Sequence, residues 1–155
     1  MSRLVVPISR RILWSTGDIL RWVELVLDLK NNVGVWKQEI FRFDPASEMT
    51  TFPAHDAKRL NLPMPQKAAV GAVHTQTGLE IRSGCLRFQI VGMDQTEYVT
   101  PCLFLGDPHT PPSGQPGSLP RKLLQPLGLL DQLRFTMQRD PNAGTLDGEL
   151  LIEKK

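Results

Sequence analysis

From Trp22 to Lys30 the chain alternates. Val23, Leu25, Leu27 and Leu29 are apolar, with Glu24 and Asp28 among the residues between them. A period of two places the apolar set on one face of a strand. A helix over 19–29 competes, because Ile19, Trp22, Val23 and Val26 also fit a 3.6-residue period. The Asn31-Asn32-Val33-Gly34 stretch that follows favours a hairpin, since Asn and Gly accept positive φ. Val35 to Phe43 then returns as the second strand, with Val35, Ile40 and Phe43 apolar.

Asp44-Pro45-Ala46-Ser47 makes a polar turn directly after that strand. Met49 to Phe52 is β-prone, and 53–60 predicts a short helix opened by Pro53 and stopped by Asn61-Leu62-Pro63. Ala68 to Val73 and Leu79 to Ile81 frame a second hairpin around 74–78. Further strands are predicted at Cys85–Val91, where Leu86, Phe88 and Ile90 alternate with Arg87 and Gln89, and at Tyr98–Leu105. Residues 107–120, rich in Pro and Gly, bury too little to order themselves and read as a surface loop. Lys122 to Leu133 predicts a helical stretch interrupted by Pro126, and Arg134–Gln138 with Gly148–Ile152 a closing pair of strands. The chain is therefore expected to be all-β with one or two short helices: an N-terminal arm over 1–19, then a single domain over 20–153.

Composition narrows the function classes. The 155 residues suffice for one domain with its own core, and a 41% apolar, 22% charged chain is globular rather than disordered. Lys and Arg number 18 against 16 Asp and Glu, and they are scattered in ones and twos instead of forming the basic stripe of a phosphate-neutralising nucleic-acid binder. No apolar run reaches the ~20 residues a membrane span needs, and the first residues carry no long apolar leader. The expected partners therefore include neither nucleic acid nor membrane, and the expected location is cytoplasmic. Cys85 and Cys102 are too few for a disulfide framework, although one bridge between them stays open. His55, His74 and His109 lie far apart without metal-ligand spacing, so no metal site is expected.

The stretch that carries candidate chemistry runs from Phe41 to Leu62. An apolar strand delivers one carboxylate, Asp44, into a small-residue turn; a β-prone segment leaves it, and a short helix ends in Leu60-Asn61-Leu62. This order resembles the retropepsin-like aspartic protease family, bacterial branches included, whose pattern is a hydrophobic strand, Asp-Thr/Ser-Gly-Ala, a β segment ending near Pro, and a helix closing in a Leu-Gly-Leu-like turn. Val70-Gly71-Ala72-Val73 through Gly78 falls where that family carries its substrate-covering flap. Pro126-Leu127-Gly128-Leu129-Leu130-Asp131 resembles its Leu-Gly-x-Asp/Asn-Leu-Leu segment. The likeness covers about residues 20 to 153, and the ordered succession of segments carries it rather than any one motif.

The resemblance implies a closed β-barrel of the acid protease fold, working as a homodimer. It implies an aspartic endopeptidase in which Asp44 faces its own symmetry mate across a bound water, with no cofactor and with a peptide or protein as substrate. By the same likeness Ala46, Ser47, Glu48, Gly71, Ala72 and Val73 would line the substrate site. The sequence departs from the family at Pro45, which replaces a Thr or Ser hydroxyl and lacks an N–H, and at Ala46, which replaces a Gly. Leu129 and Leu130 stand where a polar residue is common in the family. These departures support an alternative reading, a catalytically silent member of the fold that serves as a dimerisation or peptide-binding module. Taken alone, each feature also has a plainer use: the Asp-Pro turn as an ordinary turn, Glu48 and His74 as solvated residues, Gly71 and Gly78 as turn glycines, and the three Trp as core or interface.

Overall fold

The structure is a computed structural model that describes residues 2–69, 73–74, 77–114, 119–139 and 147–155. Among them the strands are β1 (Arg3–Pro7), β2 (Ser9–Ile12), β3 (Ile19–Lys30), β4 (Trp36–Phe43), β5 (Thr50–Pro53), β6 (Ile81–Ile90), β7 (Tyr98–Leu105), β8 (Leu123–Leu124), β9 (Leu133–Gln138) and β10 (Glu149–Lys154). The α-helix α1 (Ala54–Arg59) follows β5, and a 3-10 turn covers Leu127–Leu129.

The alternation in β3 does what its period requires. Val23, Leu25, Leu27 and Leu29 are all at most 3% exposed. The β3–β4 hairpin is closed by Asn31, whose Oδ1 accepts the N–H groups of Val33 and Val35 at 3.0 and 2.9 Å, while Gly34 takes φ +78°. In β4 the inward positions are Phe41 and Phe43, so Ile40 faces outward and is 56% exposed. Helix α1 begins at Pro53 and ends where Asn61 adopts φ 58°.

The strands divide between two sheets. β1, β10 and β9 form a three-stranded antiparallel sheet, and the other seven run in the order β2-β3-β4-β8-β5-β7-β6, with a further contact between β3 and β6. The expectation of one closed barrel is corrected by this arrangement. In the larger sheet β2 ends the strand order, the β3–β6 contact is limited to three residue pairs, and β8 supplies only two residues to β4 and one to β5. Pro120 and Pro126 bracket β8, and a proline can neither donate to a ladder nor leave its predecessor unrestricted. The sheet therefore folds over on itself without the continuous ladders of a barrel. The helix predicted from Lys122 is replaced at its start by β8, because β4 and β5 leave a gap that an extended segment fills with hydrogen bonds on both sides.

Aromatic rings fill the space inside. Phe41 stacks on Phe52 at 5.6 Å, Phe52 meets Phe104 edge-on at 6.5 Å, and Phe88 lies 5.8 Å from Tyr98. Phe135 of β9 reaches Phe43 of β4 at 5.2 Å, which ties the smaller sheet to the larger. A second tie is ionic. Arg10 and Arg21 stand opposite each other in the β2–β3 ladder, and the largely buried carboxylate of Asp147 takes both, at 3.4 and 3.0 Å. Like charges directly opposite in a ladder repel, so Asp147 makes that pairing tolerable. Gly148, next along the chain, has φ +97°, and a Cβ there would stand 2.6 Å from the Gln138 carbonyl oxygen.

Phe52 sits at the centre of the ring cluster and is fully buried. Replacing it, Phe52→Ala, should lower unfolding stability by about 3–5 kcal/mol in a denaturant titration, whereas the outward Ile40→Ala should stay within about 0.5 kcal/mol. Equal losses for the two would contradict the packing described.

Candidate functional site

Asp44 is placed by the way β4 and β5 part. β4 brings the chain to residue 43, the turn 44–49 reverses it, and β5 leaves, with β8 lying between the two strands. β8 runs parallel to β4, pairing Arg42 with Leu123 and Phe43 with Leu124, and antiparallel to β5 at Thr51–Leu123. The Arg42 N–H donates to the Lys122 carbonyl at 2.9 Å and the Asp44 N–H to the Leu124 carbonyl at 2.9 Å. On the other side the Thr51 hydroxyl donates to the Arg121 carbonyl at 2.8 Å, and buried Thr50 accepts the Gln125 N–H at 3.0 Å. Segment 121–125 is thus held from both flanks, and the turn is held with it.

Within the turn the Asp44 carboxylate is half-buried, and its Oδ1 accepts the Ala46 N–H at 3.0 Å. Pro45 contributes no donor, but the donor of the next residue, Ala46, is kept. The Ser47 N–H donates to the Asp44 carbonyl at 3.3 Å, and the Ser47 hydroxyl donates to the Met49 carbonyl at 2.7 Å, so Ser47 serves the shape of the turn as well as facing the cavity.

Two adjoining cavities open over Asp44, about 200 and 370 Å³ in volume. Both are lined by Asp44, Ser47, Thr51, His74 and Leu123, so they are the two arms of one groove. The larger arm adds Ala46, Glu48, Met49, Val73, Ile81 and Leu103. The smaller adds Thr77, Leu105, Leu119 and Arg121. On one side of the groove a short antiparallel connection pairs Val73 with Glu80. It is tightened by His74 N–H to the Leu79 carbonyl at 2.9 Å and by a 3.1 Å contact between His74 Nδ1 and the Thr77 hydroxyl.

Of the residues singled out from the sequence, Asp44, Ala46, Ser47, Glu48 and Val73 meet around this groove. Gly71 and Ala72 lie outside the described residues. Sequence reasoning missed His74, Thr51, Ile81, Leu103, Leu123 and Arg121. For Ile81 the signal was present: an apolar residue opposite in phase to Leu86, Phe88 and Ile90 must face away from the core in the same strand. For Arg121 and Leu123 it was absent, because only the insertion of β8 brings them to the turn.

The two cysteines are both free. Gly84 pairs with Cys102 and Cys85 with Pro101, which points the two thiols to opposite faces of the sheet and closes the possibility of a bridge. Burial pushes the Cys102 thiol far above its ordinary range, so it carries no thiolate. Among the described residues no three His, Cys, Asp or Glu side chains gather as metal ligands. No helix among them is long and apolar enough to cross a membrane.

No protein-family model matches the chain, and no curated protein matches it. Among solved structures, a retropepsin-like aspartic protease from Rickettsia conorii is similar at 13% sequence identity, with 99% of this chain and 92% of that chain covered and a TM-score of 0.49. At that identity it is a distant likeness of fold, and it assigns no residue of this chain a role.

Thr51→Val should cost about 1–2 kcal/mol, since it leaves the Arg121 carbonyl without its hydroxyl donor, whereas Thr51→Ser should lose less; melting of the two variants against the parent checks this. A thiol reagent should modify Cys85 alone in the native protein and reach Cys102 only on unfolding. Two thiols reacting together in native buffer would contradict the burial of Cys102.

Proposed function

We propose that this chain is an aspartic endopeptidase whose catalytic pair is Asp44 of one protomer and Asp44 of the partner subunit in a homodimer. The observation that carries the reading is the position of Asp44: a single half-buried carboxylate on a clamped turn, lining both arms of the groove. Among the described residues the chain offers one such turn, and the second carboxylate comes from a second copy through an isologous contact.

Two carboxylates brought within about 3 Å cannot both ionise, and they hold one proton between them. The ionised member takes a proton from a water lodged between the pair, and the water oxygen bonds to the scissile carbonyl carbon. The protonated member gives its proton to the carbonyl oxygen as the tetrahedral centre forms. On collapse the amine nitrogen takes the pair's proton as the C–N bond breaks, one hydroxyl of the tetrahedral centre returns its proton to the pair, and the acid product leaves with the pair again holding one proton. The Ala46 N–H on Oδ1 fixes the carboxylate's orientation throughout, which favours a productive geometry.

A second reading is supported by one particular residue. Pro45 places neither a hydroxyl nor an N–H beside the carboxylate, so nothing from that position steadies a pair of acids. A protein that holds an extended peptide without cutting it would tolerate this.

Purified protein should sediment as a dimer and hydrolyse a denatured protein at mildly acidic pH, with a bell-shaped pH profile from the coupled pair. Asp44→Asn should reduce the rate by about 10²–10⁴-fold. Dimers that bind peptides without hydrolysis, and that gain hydrolysis on the double change Pro45→Thr with Ala46→Gly, would select the second reading. A strictly monomeric protein, or hydrolysis indifferent to Asp44→Asn, would overturn the first.

A further inference from the structure

We propose that the groove selects an extended peptide carrying an acidic side chain on the Arg121 side of the residues lying over Asp44. This rests on reading the groove as a peptide site and adds the charge of its ligand. The two arms share Asp44, Ser47, Thr51, His74 and Leu123, and they differ in charge: Glu48 lines only the larger arm and Arg121 only the smaller. Beyond the shared Asp44, one arm therefore carries a carboxylate and the other a guanidinium.

Arg121 and its neighbour Lys122 are both cations, but they are used differently. Lys122 is committed to Glu39 at 2.8 Å and Asp56 at 3.6 Å, and its ammonium lies 5.6 Å over the Phe52 ring. Among the described residues no carboxylate forms an ion pair with Arg121. Arg121 also borders a further cavity of about 410 Å³, lined by Arg42, Lys122, Ile40 and Glu24, which brings a second guanidinium near it. There Arg42 lies over the Trp22 ring at 5.3 Å, and Glu24 accepts the Trp22 indole N–H at 2.9 Å.

The base of Arg121 is fixed. Its carbonyl is held by the Thr51 hydroxyl at 2.8 Å, and the next carbonyl by the Arg42 N–H at 2.9 Å. A guanidinium on an anchored backbone presents a planar fork that meets a carboxylate through two parallel hydrogen bonds. In the larger arm Glu48 repels the same carboxylate, so in a two-fold dimer, where each copy supplies its own Arg121 and Glu48, the charge sets where along the peptide the acidic residue lies.

The test uses full-length Asp44→Asn protein, so that no peptide is cut, and fluorescence anisotropy of matched labelled peptides bearing Glu, Gln or Lys at one position walked along the sequence. At the favoured position the Glu peptide should bind about fivefold more tightly than the Gln peptide, the scale of an exposed ion pair, and the gap should shrink as salt is raised. Adding Arg121→Glu should reverse the order in favour of Lys, and Arg121→Lys should keep part of the preference for Glu. Equal binding of the three peptides at every position, or a preference for Glu that survives Arg121→Glu, overturns charge selection while leaving the peptide reading in place. Failure of every peptide to bind overturns both.

Discussion

The site depends on one wedge. β4 and β5 diverge on leaving the Asp44 turn, and two residues of β8 enter the gap, parallel to one strand and antiparallel to the other. The hydrogen bonds that hold this wedge also set the turn, since the Asp44 N–H is spent on the Leu124 carbonyl. Buried backbone groups have to be paired, and Thr50, Thr51 and Gln125 complete that pairing where the two-residue ladder runs out. A carboxylate on a free loop would sample many positions. Here its Cα is tied to three strands.

Local pattern made the long strands readable and left the wedge unread. β3 and β6 announce themselves because apolar residues recur at every second position and one face is buried. The Asn31–Gly34 turn is equally plain, since its chemistry lies within its own four residues. Segment 122–133 misleads for the opposite reason: Leu123 and Leu124 are extended only because β4 and β5 offer them partners some eighty and seventy residues earlier in the chain, and no local signal encodes such a pairing. Likewise the fold's class was legible as mostly β, but its closure was not, because closure depends on ladder lengths that prolines at 120 and 126 cut short.

The groove divides along the same line. Asp44, Ser47 and Glu48 could be singled out because they share one turn, and chemistry concentrated in a turn is visible in sequence. Thr51, Leu123, Arg121 and His74 come from separate segments and meet Asp44 only in space. The altered positions of the turn also weigh differently once the backbone is seen. Ala46 still supplies its N–H to the carboxylate, so that exchange leaves the hydrogen bond intact, whereas Pro45 subtracts a donor outright.

The smaller sheet has a consequence for how the molecule comes into being. Among the described residues β1 ladders with β10 alone, across most of the sequence, and the Lys154 N–H reaches back to the Ser2 carbonyl. A ribosome releases β1 long before β10 exists, so that strand waits for its partner while the residues between the two are made, and contacts between such distant segments assemble slowly. The β1–β10 seam is sewn late, and a chain stopped short of β10 leaves β1 an open edge for other chains to pair with.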